Sequence, residues 1–103
     1  MHRTTESARA VAIANGIHND WFLGGVFDGA YPEIVLEGLG PHMPDGWQDE
    51  LAVISAPIDW LGVNYYSRGI MSADRSPGAM WPHVTHQRGS LSRTQMDWEI
   101  YPD

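Results

Sequence analysis

The first part of the chain carries apolar residues at steps of three and four positions. The residues that form this pattern are Ala10, Ile13, Ala14, Ile17 and Trp21. Such spacing predicts an amphipathic helix over residues 4 to 22. Thr4 or Thr5 is placed to cap its N-terminus, and the glycines at positions 24 and 25 are expected to end it.

The rest of the chain has shorter patterns. Residues 32–39 and the segment "QDELAVIS" (48–55) predict two short helices. "APIDWLGVNYYS" (56–67) is almost continuously apolar, which is typical of a strand buried on both faces, with Trp60 in the core. "RGIMSA" (68–73) could pair as a short hairpin arm, and the sequence is loop-like up to Gln95.

The predicted strand ends with two polar side chains on one of its faces. Alternation along a strand puts Asn64 and Tyr66 on the same face, whereas Val63 and Tyr65 point the other way. No second segment of the chain is a comparable strand, so the predicted strand has no parallel neighbour within one copy. An apolar strand with bare edges pairs readily with another chain. We therefore expect a homo-oligomer or pairing with a complementing barrel fragment.

Composition narrows the functional classes. The chain has 103 residues, enough for one ordinary domain, and 43% of them are hydrophobic. Its net charge is −7, with six arginines and no lysine, which argues against a nucleic-acid partner because phosphate binding needs a basic surface. No apolar run approaches the roughly 18 residues of a membrane span, so no membrane role is expected. The absence of cysteine excludes disulfides and fits a cytoplasmic protein.

Three segments, in this order, resemble glycoside hydrolase family 1, the family of β-glucosidases and β-galactosidases. They are "NDWFLGGVFDGAYPEIVLEGLG", "ISAPIDWLGVNYYSR" and "MDWEIYPD". The resemblance runs from about Arg9 to Asp103, so residues 1–103 are treated as a single segment from the middle of a family barrel. It implies an α/β fold, specifically a partial (β/α)8 TIM-barrel fragment around the sixth strand. A closed barrel needs about 200 residues or more, which exceeds this chain.

The resemblance also implies roles for particular residues. The family residue that matches Tyr66 donates its phenol hydrogen bond to the nucleophilic carboxylate, and the one that matches Asn64 lies in the same active-site wall. Trp81 falls in the loop that borders the family's substrate entrance. The implied partner is a β-glucoside sugar, and no cofactor is implied.

The two catalytic glutamates of the family have no counterpart in this sequence. The resemblance places the acid/base in an Asn-Glu-Pro motif and the nucleophile in a Thr-Glu-Asn-Gly motif, and neither occurs here. Glu99 matches a family position that is not catalytic. We therefore interpret the chain as a fragment of a β-glucosidase-like retaining glycoside hydrolase that is inactive alone, with no catalytic residue of its own. The alternative is a non-catalytic binding or self-assembly module derived from a glycosidase.

A few further positions complete the predictions. The family has Asp-Pro where this chain has Gly24 and Gly25, which suggests a more flexible turn, and glycine where it has Asp97. Arg68 is predicted to be a structural ion-pair partner. His83 and His86 are three residues apart, but Pro82 favours a loop and no nearby acid completes a ligand set, so no metal site is predicted.

Overall fold

The computed structural model describes residues 5–73 and 85–102. Residues 5–28 form one long helical segment. Helix α1 (Thr5–Asn15) runs without interruption into a π-helical turn (Gly16–Asp20), helix α2 (Trp21–Leu23) and a second π-helical turn (Gly24–Asp28). The segment ends at Gly29, whose φ of 63° lies in the left-handed region that favours glycine.

The remaining elements are short. They are helix α3 (Glu33–Leu39), a 3₁₀ turn (Gly40–His42), helix α4 (Trp47–Ile54), and strands β1 (Ile70–Ser72) and β2 (Thr85–Gln87). The two strands form an antiparallel pair in which Met71 lies opposite His86. Both predicted short helices are therefore confirmed, and the arm near residue 70 does pair as a hairpin.

The predicted end of the first helix at residues 24 and 25 is wrong, because the helical segment continues to Asp28. The two glycines serve close packing. A Cβ atom on Gly24 would lie 2.6 Å from the Ala30 carbonyl oxygen, and one on Gly25 would lie 3.1 Å from the Tyr31 ring. The Ala30 amide in turn donates to the Gly24 carbonyl over 3.2 Å. Glycine here lets the chain fold back tightly onto its own helix, so the expected flexible turn is not present.

The core is small and lies between the helices. The buried apolar side chains are Ala10, Ile13 and Ala14 of α1, Val35 of α3, and Leu51 of α4. Three positions of the predicted helical stripe are thus confirmed as core. The π-helical turn after α1 approaches α3 at Gly16, where an added Cβ would lie 2.7 Å from a methyl group of Val35.

An aromatic stack ties the long helical segment to α4. The Trp21 and Tyr31 rings are parallel within 3°, with centroids 3.8 Å apart. Tyr31 also meets Trp47 at 5.6 Å in a tilted arrangement. These three rings hold the turn before α3 between α2 and α4. They join the helices of residues 5–54, the helical half, into one packed unit.

The prediction of a buried strand over residues 56–67 is wrong for this chain. These residues carry no helix or strand, and their side chains are mostly exposed, including Trp60 at 81% and Val63 at 79%. A strand requires ladder hydrogen bonds to a neighbour. The described part of the chain supplies no backbone partner for residues 57–69, which agrees with the predicted lack of a neighbouring strand. Trp60 is therefore not a core residue here.

The overall dimensions exceed those of a compact chain of the same length. The accessible surface is 8018 Å², whereas a compact protein of this mass would expose about 5,800 Å². The radius of gyration is 16.1 Å, against about 13 Å for a compact chain of this length. Among the described helices, none has the length and apolar character needed to cross a membrane. The packed helical half and the open segment are thus physically distinct parts of the molecule.

The close approach of the π-helical turn to α3 at Gly16 gives a stability prediction. Gly16→Ala should gain about 1 kcal/mol of helix propensity but should cost about 1–3 kcal/mol through overpacking against Val35. We expect a net loss of up to about 2 kcal/mol, measured as a lower urea midpoint. The matched control is Gly40→Ala, because an added Cβ there meets nothing within 4 Å. A Gly16→Ala variant as stable as the control would contradict the close packing.

The uncovered segment gives a prediction about assembly. We expect the 103-residue chain to self-associate at micromolar concentration, because burying Leu61 or Val63 is worth about 1.5–3 kcal/mol each. Val63→Glu should raise the dissociation constant at least about tenfold, since 1.4 kcal/mol corresponds to one decade. Val53→Glu in α4 is the control, because Val53 is 78% exposed and Val63 is 79% exposed. Sedimentation analysis that finds a cooperatively folding monomer would refute this expectation.

Candidate functional site

The predicted site residues Asn64 and Tyr66 lie in the irregular segment of residues 57–69, which carries no helix or strand. Tyr66 is 69% exposed and Asn64 is also exposed. The Tyr66 ring contacts Trp98, with centroids 5.3 Å apart and planes inclined by 56°. Within the described residues, the Tyr66 hydroxyl has no hydrogen-bond partner. The phenol is therefore available to a group outside this part of the chain.

An ion pair joins the same two segments that carry these rings. Arg68 donates from Nε to one oxygen of Glu99 over 2.8 Å and from a terminal nitrogen to the other over 3.2 Å. The Leu91 amide donates to the same carboxylate over 3.1 Å. Glu99 is only 5% exposed, and Arg68 is partly buried. The predicted role of Arg68 as an ion-pair partner is confirmed.

The ion pair shifts the titration of both partners. Hydrogen bonding to Arg68 is the main cause that lowers the pKa of Glu99 from its ordinary value of 4.5. The Leu91 amide and the positive charges of Arg68 and Arg93 act in the same direction, and desolvation opposes them. The hydrogen bond to Glu99 also raises the pKa of Arg68. Glu99 is therefore a carboxylate held charged by its partners, a state unsuited to a proton-donating acid.

Tyr101 completes the contacts of the terminal segment. The Tyr65 hydroxyl donates to the Tyr101 carbonyl over 2.6 Å. The Arg68 guanidinium carbon lies 4.0 Å above the centre of the Tyr101 ring, a cation–π geometry. Residues 98–101 are thus attached to residues 65–68 by the Tyr65 hydrogen bond, by Glu99 at the edge of the Arg68 guanidinium and by Tyr101 on one of its faces.

Asp97 itself adopts a left-handed backbone conformation. Its φ is 63°, the one positive value at a non-glycine position among the described residues. Its carboxylate accepts from Arg93 Nε over 2.7 Å and from Arg88 over 3.0 Å. Glycine, which the resemblance implies at this position, would adopt this φ without cost. The two exposed ion pairs offset the strain on aspartate, each being worth about 0–1 kcal/mol.

Two open cavities border the site. One of about 230 Å³ lies among Arg68, Arg93, Trp98 and Glu99. The other, of about 440 Å³, lies between α1 and the segment at Ser67. The charged groups of the smaller cavity are already paired with one another, so it offers no unsatisfied charge to a ligand.

The structure brings only some of the predicted residues together. Asn64 and Tyr66 share the open segment, and Trp98 joins them from the far end of the chain. Trp81 and His83 lie outside the described residues. In the described ranges, no group of three or more histidines and acids could hold a metal.

Sequence reasoning missed the partners of Tyr66. The contact of Trp98 with Tyr66 and the pairing of Glu99 with Arg68 join positions about 30 residues apart, which no local periodicity reveals. One signal was present: Glu99 and Arg68 lie in two motifs that are each rich in aromatic residues. A charged residue within such a motif needs a partner when the motif is buried.

Comparisons with known proteins agree with the resemblance. The sequence profile described as Glycosyl hydrolase family 1 matches residues 1–103. A beta-glucosidase from Agrobacterium sp. is 36% identical over 95 residues, which are 90% of this chain and 20% of that protein. Beta-glucosidase A of Thermotoga maritima is 34% identical over 99 residues, 95% of this chain and 22% of the relative.

Solved structures give the same result. The beta-glucosidase from Thermotoga maritima in complex with deoxynojirimycin superposes with a TM-score of 0.86 at 34% identity, over 98% of this chain and 22% of the enzyme. The virulence factor SghA from Agrobacterium tumefaciens has a TM-score of 0.87 at 33% identity, over 97% of this chain and 22% of SghA. The chain therefore spans about a fifth of these proteins. The family enzymes are TIM barrels, so a partial barrel fits, and the described residues do not form a closed barrel.

The buried carboxylate predicts how stability changes with pH. Since the folded-state pKa of Glu99 is lowered, its stabilising effect is complete above about pH 4.5 and is lost as pH falls through the lower folded value. Glu99→Gln should lower the melting temperature at pH 7, and the difference from the unmodified chain should disappear in acid.

The matched control is Glu37→Gln, which breaks the exposed pair of Glu37 with Arg9. This change should have little effect at any pH, because exposed pairs contribute little. A Glu99→Gln variant that is equally destabilised at pH 7 and in strong acid would show that charge is not the cause.

Proposed function

Because the chain belongs to glycosyl hydrolase family 1, we propose that it forms part of the sugar-facing wall of a β-glucosidase-like retaining glycoside hydrolase. The observation that carries the proposal is the Tyr66 phenol, which is exposed and lies beside the Trp98 ring. The relative in complex with deoxynojirimycin, a sugar-like inhibitor, supports a glycoside as the ligand of this wall.

The chemistry of retaining glycosidases gives Tyr66 its role. These enzymes use a carboxylate nucleophile and a second carboxyl group as acid/base, about 5–5.5 Å apart. A phenol that donates a hydrogen bond to the nucleophile favours its charged form and fixes its orientation. In this proposal Tyr66 supplies that hydrogen bond, and Asn64 contributes a polar group to the same wall. The nucleophile itself belongs to another part of the barrel.

Three glutamates of this chain are unsuited to the catalytic roles. Glu99 is buried and engaged by Arg68, and Glu37 pairs with Arg9 on the helical surface. Glu33 lies in the first turn of α3, in the helical half of the molecule. None of the three is a carboxylate on the open face beside Tyr66. In this proposal the pair of carboxyl groups that hydrolysis requires comes from other parts of the barrel.

This proposal predicts that the 103-residue chain does not hydrolyse an aryl β-glucoside above background. When the rest of a family barrel is supplied in trans and activity appears, Tyr66→Phe should lower kcat by roughly 10- to 100-fold, as expected for losing a hydrogen bond to a charged group. Tyr31→Phe is the control, because it removes a hydroxyl from the helical aromatic stack. Turnover that follows the purified chain by itself, or an unchanged rate for Tyr66→Phe, would refute the assignment.

A second candidate function is a non-catalytic binding or self-assembly module. The observation that favours it is the apolar exposure of the segment from Ile58 to Tyr66, which is a surface suited to contact with another chain. Such a module would retain the aromatic wall while serving contact with a partner.

Sugar affinity separates the two functions. For a fragment, we expect at best millimolar binding of glucose or cellobiose by titration calorimetry, since most of the groups that would surround a sugar lie outside the chain. Micromolar binding that disappears in Trp98→Ala would instead favour the binding module. Trp47→Ala serves as the control, because Trp47 belongs to the helical stack.

A further inference from the structure

Tyr66 is held in place without any strand neighbour. Residues 57–69 make no backbone hydrogen bond to another described segment. The contacts around Tyr66 come instead from the end of the chain. Tyr66 touches the Trp98 ring, and the flanking Tyr65 hydroxyl reaches the Tyr101 carbonyl. The position of the phenol therefore depends on how residues 98–101 are anchored.

The anchor is the Glu99 carboxylate. Both of its oxygens accept hydrogen bonds from Arg68, and one also accepts from the Leu91 amide. A bidentate pair between guanidinium and carboxylate fixes orientation as well as distance. Gly89 lies directly against the same carboxylate, and an added Cβ atom there would overlap its oxygens. The carboxylate is thus enclosed by the backbone of residues 89–91 and by one guanidinium.

The sequence positions of the pair link it to the wall. Arg68 follows Tyr66 by two residues, and Glu99 directly follows Trp98. The stacking of Arg68 on Tyr101 restricts the guanidinium from one side while Glu99 holds its edge. The ion pair therefore ties the backbone beside Trp98 to the backbone beside Tyr66. The exposed pair of Arg9 and Glu37 has no comparable connection to the wall.

We propose that Arg68 and Glu99 are positioning residues that hold the Tyr66 phenol in the sugar-facing wall, with Gly89 leaving the space that the Glu99 carboxylate needs. The inference rests on the proposed function, which gives the position of Tyr66 its purpose. The positioning itself is a property of the folded chain and is measurable without catalysis.

The sharpest test changes no charge. In Gly89→Ala the added methyl group displaces the Glu99 carboxylate, while every ionisable group remains. Proton NMR with labelled tyrosine and tryptophan rings measures the cross-relaxation between Tyr66 and Trp98 in the folded molecule. We expect the population with separated rings to rise about tenfold, as the loss of a charge-assisted hydrogen bond implies. Gly40→Ala is the matched control and should leave the ring contact unchanged.

A second pair of variants keeps the test decisive if Gly89→Ala fails to fold. Arg68→Ala should separate the rings, whereas Arg68→Lys should restore part of the contact through a single charged donor. Glu37→Gln should have no effect. A role in overall stability alone would lower the melting temperature but leave the ring contact intact in the molecules that remain folded. An intact Tyr66–Trp98 contact in folded Arg68→Ala would therefore overturn the proposal.

The outcomes separate this inference from the proposed function. Failure of positioning appears as an intact ring contact, which is independent of turnover. Failure of the proposed function appears as an unchanged rate for Tyr66→Phe in the complemented barrel. Ring separation combined with an unchanged Tyr66→Phe rate would support the positioning and reject the catalytic purpose.

Discussion

The backbone of residues 57–69 has no hydrogen-bond partner within the described chain. The irregular conformation of this segment and the exposure of its side chains follow from this. An apolar segment without a ladder neighbour cannot form a strand, so its side chains remain exposed to water. In the family enzymes, of which this chain spans about a fifth, such a segment has the rest of a barrel around it.

The helical half solves a different problem, namely packing helices closely with few large side chains. Gly16 lets the π-helical turn pack closely on the Val35 side chain, and Gly24 lets the chain turn back against the Ala30 carbonyl. The stack of Trp21 on Tyr31 then seals the turn. The buried side chains of this half pack among its own helices, whereas Phe22, Phe27 and Val53 are exposed on its surface.

The wall around Tyr66 depends on electrostatics more than on apolar packing. A nearly buried carboxylate is stable only with its full set of donors, and Glu99 obtains them from Arg68 and the Leu91 amide. That requirement joins two segments about 30 residues apart and brings Trp98 against Tyr66. The ion pair of Arg68 with Glu99 thus connects this segment to residues near the end of the chain, where the described residues supply no strand neighbour.

The sequence by itself determined the family, the helices and the absence of a strand partner, because each depends on local patterns or on motifs of contiguous residues. It also indicated that Arg68 would form an ion pair. The continuation of the first helix to Asp28, the exposure of Trp60 and the pairing of Arg68 with Glu99 were decided only by the tertiary structure. The helix continuation depends on the close contact of Gly24 with Ala30, and the other two features depend on segments far apart in the sequence. Local periodicity contains no record of either kind of contact.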